Sequence, residues 1–164
     1  MPRISVVLRI LWFARRHDEA IQQVQSVIKT EPDNVPAHAF LGYIYASRGL
    51  YPEAIVEYQK SFSLVKESTS IQCYLGYAYA MSGKRSETLA LLQKLKTTKE
   101  YVSPAELAVL YAGLGDKDGA LGLLGKAYEA HDLQLRHLKV DPHYDSLRSD
   151  PRFQDLLRRV GLPL

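Results

Sequence analysis

The sequence predicts an all-α protein: a right-handed α-solenoid of about four helix pairs with a C-terminal capping helix. Three observations carry this. A leucine, a small residue and a tyrosine recur together, at Leu41-Gly42-x-x-Tyr45, Leu75-Gly76-x-x-Tyr79 and Leu107-Ala108-x-x-Tyr111. Four residues after each tyrosine stands a glycine: Gly49, Gly83 and Gly115. The tyrosines lie 34 and 32 residues apart, so the period is 34 with a two-residue deletion in the third unit. A fixed period of this length marks stacked supersecondary units, each burying its apolar face on its neighbours.

Each element follows from its residues. Helices are expected near 3–15, 18–30, 35–48, 52–66, 69–82, 85–98, 103–114 and 117–131. Gly49, Gly83 and Gly115 end the first helix of a pair, where a left-handed residue is needed. Small residues at Gly42, Gly76, Ala54 and Ala120 let helices approach closely, and tyrosines and leucines fill the space between. Pro32-Asp33-Asn34 stops one pair and starts the next. Ser103-Pro104 does the same for the fourth unit, with the proline tolerated in the first helical turn. The units are 1–34, 35–68, 69–100 and 101–134, followed by a connector at 135–149 with two Asp-Pro pairs, Asp141-Pro142 and Asp150-Pro151. Asp150 caps a last helix, 150–160 within the segment 150–164. Phe153, Leu156, Leu157 and Val160 form its apolar face, and Gly161 and Pro163 end it.

The repeat resembles the tetratricopeptide (TPR) repeat, a helix–turn–helix unit. Leu41-Gly42-x-x-Tyr45 leads into Ala54-x-x-x-Tyr58, Leu75-Gly76-x-x-Tyr79 into Thr88-x-x-x-Leu92, and Leu107-Ala108-x-x-Tyr111 into Ala120-x-x-x-Leu124. The first unit is degenerate, with Val7-Leu8-x-x-Leu11, then Ala20-x-x-x-Val24 and Pro32. The early tryptophan usual in such units is replaced by Ile4, His38, Gln72 and Pro104. The tail narrows the likeness. Lys139-Val140-Asp141-Pro142, then Leu147 to Phe153, then Leu156 to Pro163 are similar to the C-terminal TPR segment of bacterial multidomain regulators. Those proteins carry a winged-helix, serine/threonine-kinase or cyclase domain upstream. The resemblance implies an interaction portion, acting either on a partner in trans or, as a regulatory or sensory tail in signalling, on a domain in cis.

Composition excludes several classes. With 164 residues, 46% hydrophobic and 24% charged, the chain has the balance of an ordinary globular protein. The single cysteine, Cys73, cannot form an intrachain disulfide, which points to a reducing, cytoplasmic setting. A net charge of +3 lacks the concentrated basic stripe of a nucleic-acid binder. Arg9 interrupts the apolar N-terminus, and Arg15, Arg16 and His17 stand where a cleavage site would be expected. That stretch therefore reads as a packed helix, neither a signal peptide nor a membrane span.

In TPR arrays the first helix of each pair lines the concave surface. Helical spacing places Trp12 and Arg9, Ala39 and Tyr43, Cys73 and Tyr77, and Val109 on that lining. The surface is small, apolar and aromatic. Arg9 is its one cation, which argues against capture of a C-terminal carboxylate. Tyr43 and Tyr77 are either aromatic anchors for an apolar protein or peptide segment or fillers of a tight superhelix. The first helix is apolar on all sides, so Val6, Ile10 and Phe13 need covering by an upstream repeat, a second copy or another protein. Self-association, as a homodimer through this helix, is the favoured reading of the isolated chain.

Nothing in the sequence calls for an enzyme, a metal or a cofactor. No histidine is tied to Cys73 by a motif. His131, His137 and His143 lie near Asp132, Asp141 and Asp145 in a spacing that matches no metal-ligand pattern. The reading is a non-enzymatic protein-interaction scaffold.

Overall fold

The structure, a computed structural model, describes residues 6–65 and 67–162, with side chains at 8, 10–65 and 67–162. The roles expected for Val6 and Arg9 lie outside the described side chains. Among the described residues there are nine α-helices and no strand. In chain order they are α1 (Val6–Phe13), α2 (His17–Thr30), α3 (Val35–Ser47), α4 (Tyr51–Val65), α5 (Thr69–Met81), α6 (Arg85–Thr97), α7 (Pro104–Gly113), α8 (Lys117–Glu129) and α9 (Pro151–Arg159). Helices pack in sequence from α1 to α6, and α7 packs on α5 and α8. The result is a solenoid of four helix pairs.

Side-chain caps start the helices where the sequence offered them. Asn34 Oδ1 accepts from the Ala37 N–H at 3.0 Å. Ser103 Oγ accepts from the Glu106 N–H at 3.2 Å. Each supplies an acceptor to a backbone donor that the helix itself cannot satisfy. Gly49, Gly83 and Gly115 stand at φ of 75°, 77° and 76°, and each closes its helix in the left-handed region. The Leu50 N–H then donates back to the Tyr45 carbonyl at 2.9 Å.

The small positions of the repeat mark the closest approaches. Ala20, Ala54 and Ala120 are fully buried, as is Thr88, which stands at the same place in the third unit. Gly42 faces the ring of Tyr58, and Gly76 faces Leu110, both of them fully buried side chains.

The stretch read from sequence as a connector carries two 3-10 turns, Leu133–His137 and Pro142–Leu147. Asp132 and Asp141 cap them, accepting from the Gln134 and His143 N–H groups at 3.0 and 2.9 Å. Leu135, Leu138, Tyr144 and Leu147 of this stretch are buried with the core of α5, α7 and α8. At roughly 1.5–3 kcal/mol for each buried large apolar side chain, they bind the stretch firmly to the solenoid. Polar contacts hold it in shape: Arg148 donates to the Lys139 and Asp141 carbonyls. Helix α9 then closes the array, burying Phe153, Leu156 and Leu157.

Candidate functional site: an aromatic trough and the tail seated in it

Trp12 of α1, Tyr43 of α3 and Tyr74 and Tyr77 of α5 converge on one place. They share a face because positions three and four apart on a helix do, and because the 34-residue repeat stacks α1, α3 and α5 in register. The Trp12 and Tyr43 rings are stacked with centroids 5.9 Å apart. Tyr43 lies 4.4 Å from Tyr74. The Trp12 indole N–H donates to Ser47 Oγ at 3.2 Å, which fixes the ring.

The occupant of this trough is the chain's own tail. The His143 ring, fully buried, sits 4.8 Å from Tyr77, 5.0 Å from Tyr74, 5.9 Å from Trp12 and 6.3 Å from Tyr43. Three of these pairs meet edge to face, the arrangement aromatic quadrupoles favour. His143 Nδ1 is 2.8 Å from Asp141 Oδ1, and Nε2 has no hydrogen-bond partner among the described residues.

Neighbouring contacts hold the tail against α5, α7 and the end of α1. The Tyr144 hydroxyl donates to the Ala105 carbonyl of α7 at 2.7 Å. Ser103 Oγ donates to Asp132 at 2.5 Å. Glu106 of α7 accepts from Ser70 Oγ at 2.7 Å and from the Gln134 amide at 3.2 Å. His137 stacks on Phe13 at 4.9 Å. Arg15, just after α1, donates twice to the Asp145 carboxylate, at 3.0 and 2.8 Å. The tail therefore runs from α7 and α8 to α1, and ties the first unit to the last.

Burial sets the electrostatics. It pushes the phenols of Tyr43, Tyr74 and Tyr77 well above their ordinary value, so they stay neutral donors. Burial also raises the Glu106 carboxyl. The Ser70 hydrogen bond opposes that rise, and the charge of Asp132 adds to it. Asp145 is pushed up by partial burial, but hydrogen bonds from Arg148 and Arg15 outweigh this and hold it below the usual carboxylate range.

The structure brings together Trp12, Tyr43 and Tyr77 of the lining expected from sequence. Ala39 and Val109 are buried in the core beside them. Cys73 joins Leu92, Leu95 and Leu110 in a cluster between α5, α6 and α7. Its thiol is pushed up by burial first and by the Glu106 charge second, away from the reactive thiolate. Of the residues of α1, Ile10 is 58% exposed, while Phe13 faces the tail. Among the described residues no group of three or more His, Cys, Asp or Glu side chains is gathered as a metal site would need. No described helix is long and apolar enough to cross a membrane.

Sequence reasoning did not place Tyr74, His143, Tyr144, Asp145 or Arg15 at the trough, and weighed His143 and Asp145 only for a metal-ligand spacing. Arg15 carried a usable signal. It stands 34 residues before Gly49, in the place of the repeat glycine, and adopts φ 58° there. The Arg16 N–H donates to the Leu11 carbonyl, which repeats the Leu50–Tyr45 bond one unit later.

Comparison with known proteins agrees with this architecture. Residues 42–83 match the model of a family described as TPR repeat. The fold is a TPR-like solenoid. One similar solved structure is a crystal structure of MamA, with a TM-score of 0.56 at 20% identity over 97% of this chain and 95% of that one. A second MamA structure gives 0.53 at 22%, over 94% and 88%. A Podosopora anserina putative kinesin light chain with nearly identical TPR-like repeats gives 0.52 at 18%, over 94% and 90%. At these identities the likeness is one of fold. No curated protein matches the sequence. TPR repeats are generally protein-interaction modules.

Proposed function

We propose that the chain is a non-enzymatic scaffold whose concave aromatic trough seats a short segment of a protein partner. One observation carries this: the trough of Trp12, Tyr43, Tyr74 and Tyr77 already holds a polypeptide turn, Pro142–Leu147. Four aromatic rings around one planar side chain form a preorganised pocket. Pockets of this kind concentrate binding energy in a few residues. In a longer regulator of the type the tail resembles, the same trough would serve a domain in cis.

Affinity capture with the full chain and with a Tyr43→Ala/Tyr77→Ala variant tests the reading, with circular dichroism as the fold control. Partners lost from a variant of intact helicity support it. The same partners on both baits overturn it. A second contact is proposed for α1, where the exposed Ile10 favours self-association. Sedimentation of an Ile10→Asp variant against the parent tests that reading.

A further inference from the structure

The geometry points to an autoinhibitory strap: Asp141–Arg148 is a cis-acting occupant that closes the aromatic trough to segments in trans, and Arg15 is its clasp. The inference rests on the trough being a segment-binding surface, as proposed above, and adds how access to it is controlled.

Three independent observations support it. The first is occupancy: His143 fills the space between Tyr74, Tyr77 and Trp12, so no second side chain enters while it is there. The second is the kind of structure that fills the trough. The occupant is a short 3-10 turn and not part of a regular helix pair. Such turns have poorer hydrogen-bond geometry than α-helices, so the strap is held by its buried side chains and its clasp more than by its backbone. The third is Arg15. At the matching place in later units the repeat uses Gly49, Gly83 and Gly115, all left-handed. The first unit holds an arginine in the same conformation, at φ 58°, and that arginine reaches Asp145 across 130 positions of sequence. Non-glycine residues are uncommon in this region; among the described residues His131, at φ 52°, is the other. What sets Arg15 apart from the repeat glycines is its side chain, which makes the paired hydrogen bond to the strap. Arg148 shares the same carboxylate, with its Nε 2.6 Å from Asp145 Oδ1.

The clasp is exposed, with about half of each side chain in water. A pair of this kind adjusts an equilibrium by a small factor and responds to its surroundings, which suits a catch. The buried rings supply the larger part of the closure.

The test uses the full chain and a fluorescein-labelled synthetic peptide of residues 133–149, followed by anisotropy. Three proteins are compared: the parent, Arg15→Gly, and Arg15→Gly/His143→Ala. Glycine is the repeat's own residue at position 15, so that change does not threaten the helix end. The parent should bind the peptide weakly or not at all. Arg15→Gly should gain roughly two- to fivefold, and the double variant roughly tenfold or more. Adding Tyr43→Ala/Tyr77→Ala should abolish the gain.

Equal binding to all three proteins overturns the strap and leaves the segment-binding trough standing. A gain that persists in the tyrosine variant overturns the trough itself. No binding to a folded double variant overturns the strap as an exchangeable occupant. Loss of helicity on His143→Ala also overturns it, because the tail would then be a fixed part of the core.

Discussion

Gly42 lies flat against Tyr58, so a Cβ on Gly42 would stand 2.7 Å from both Cδ1 and Cε1 of that ring. Tyr58 is fully buried and has nowhere to go. Gly42→Ala should therefore destabilise the chain by about 1–3 kcal/mol through overpacking, seen as a lowered midpoint in thermal unfolding. Gly125 supplies the control. It is in the interior of α8, with no atom within 4 Å of an added Cβ. Gly125→Ala should stabilise by up to about 1 kcal/mol through helix propensity. If both alanines destabilise alike, close packing at Gly42 is not what the repeat uses glycine for.

Arg15 separates backbone strain from tail docking. Its left-handed backbone costs roughly 1–2 kcal/mol relative to glycine, and an exposed ion pair returns about 0.2–1 kcal/mol. Arg15→Gly should leave the global unfolding midpoint unchanged or slightly raised. In the same variant, amide hydrogen exchange across 133–149 should accelerate while exchange in α3 and α5 holds. A matching acceleration in all helices would mean that Arg15 acts on the whole fold and not on the tail.

Much of the solenoid was legible because its determinants are local and recur. Gly49, Gly83 and Gly115 declare a left-handed helix end. Asn34, Ser103 and Asp150 declare caps. Ala54 and Ala120 declare a tight crossing. The trough was half legible: helical spacing put Trp12, Tyr43 and Tyr77 on one surface but said nothing of what lies on them. The 3-10 turns at Leu133–His137 and Pro142–Leu147 are too short to show a period. Asp141-Pro142 reads as punctuation until His143 is seen in the trough. Arg15 and Asp145 are ordinary charged residues whose meeting depends on the whole superhelix.

Glu106 gives a pH dependence with a definite sign. Its folded-state carboxyl is raised above the ordinary 4.5, chiefly by burial. The folded chain thus binds this proton more tightly than the unfolded chain does. The resulting stabilisation is fully present below pH 4.5 and is lost as pH rises through the folded value. Glu106→Gln keeps an acceptor for Ser70 and removes the buried charge. Denaturant unfolding from pH 4.5 upward should show the parent losing stability relative to Glu106→Gln. Parallel curves for the two proteins would refute the assignment.

The Tyr58 hydroxyl is the last point at which packing and polarity disagree. The ring fills the space between α3 and α4, and the hydroxyl has no hydrogen-bond partner among the described residues. Burial pushes its ionisation well above the ordinary tyrosine value, so the group is neutral. A buried hydroxyl without a partner costs about 1–3 kcal/mol of desolvation. Tyr58→Phe keeps the ring against Gly42 and Tyr43 and discards the orphan oxygen. It should raise stability by about 1 kcal/mol, or roughly 2–4 °C in the unfolding midpoint for a chain of this size. A destabilised Tyr58→Phe would show that the hydroxyl does have a partner in solution, and would place a polar contact inside the second helix pair.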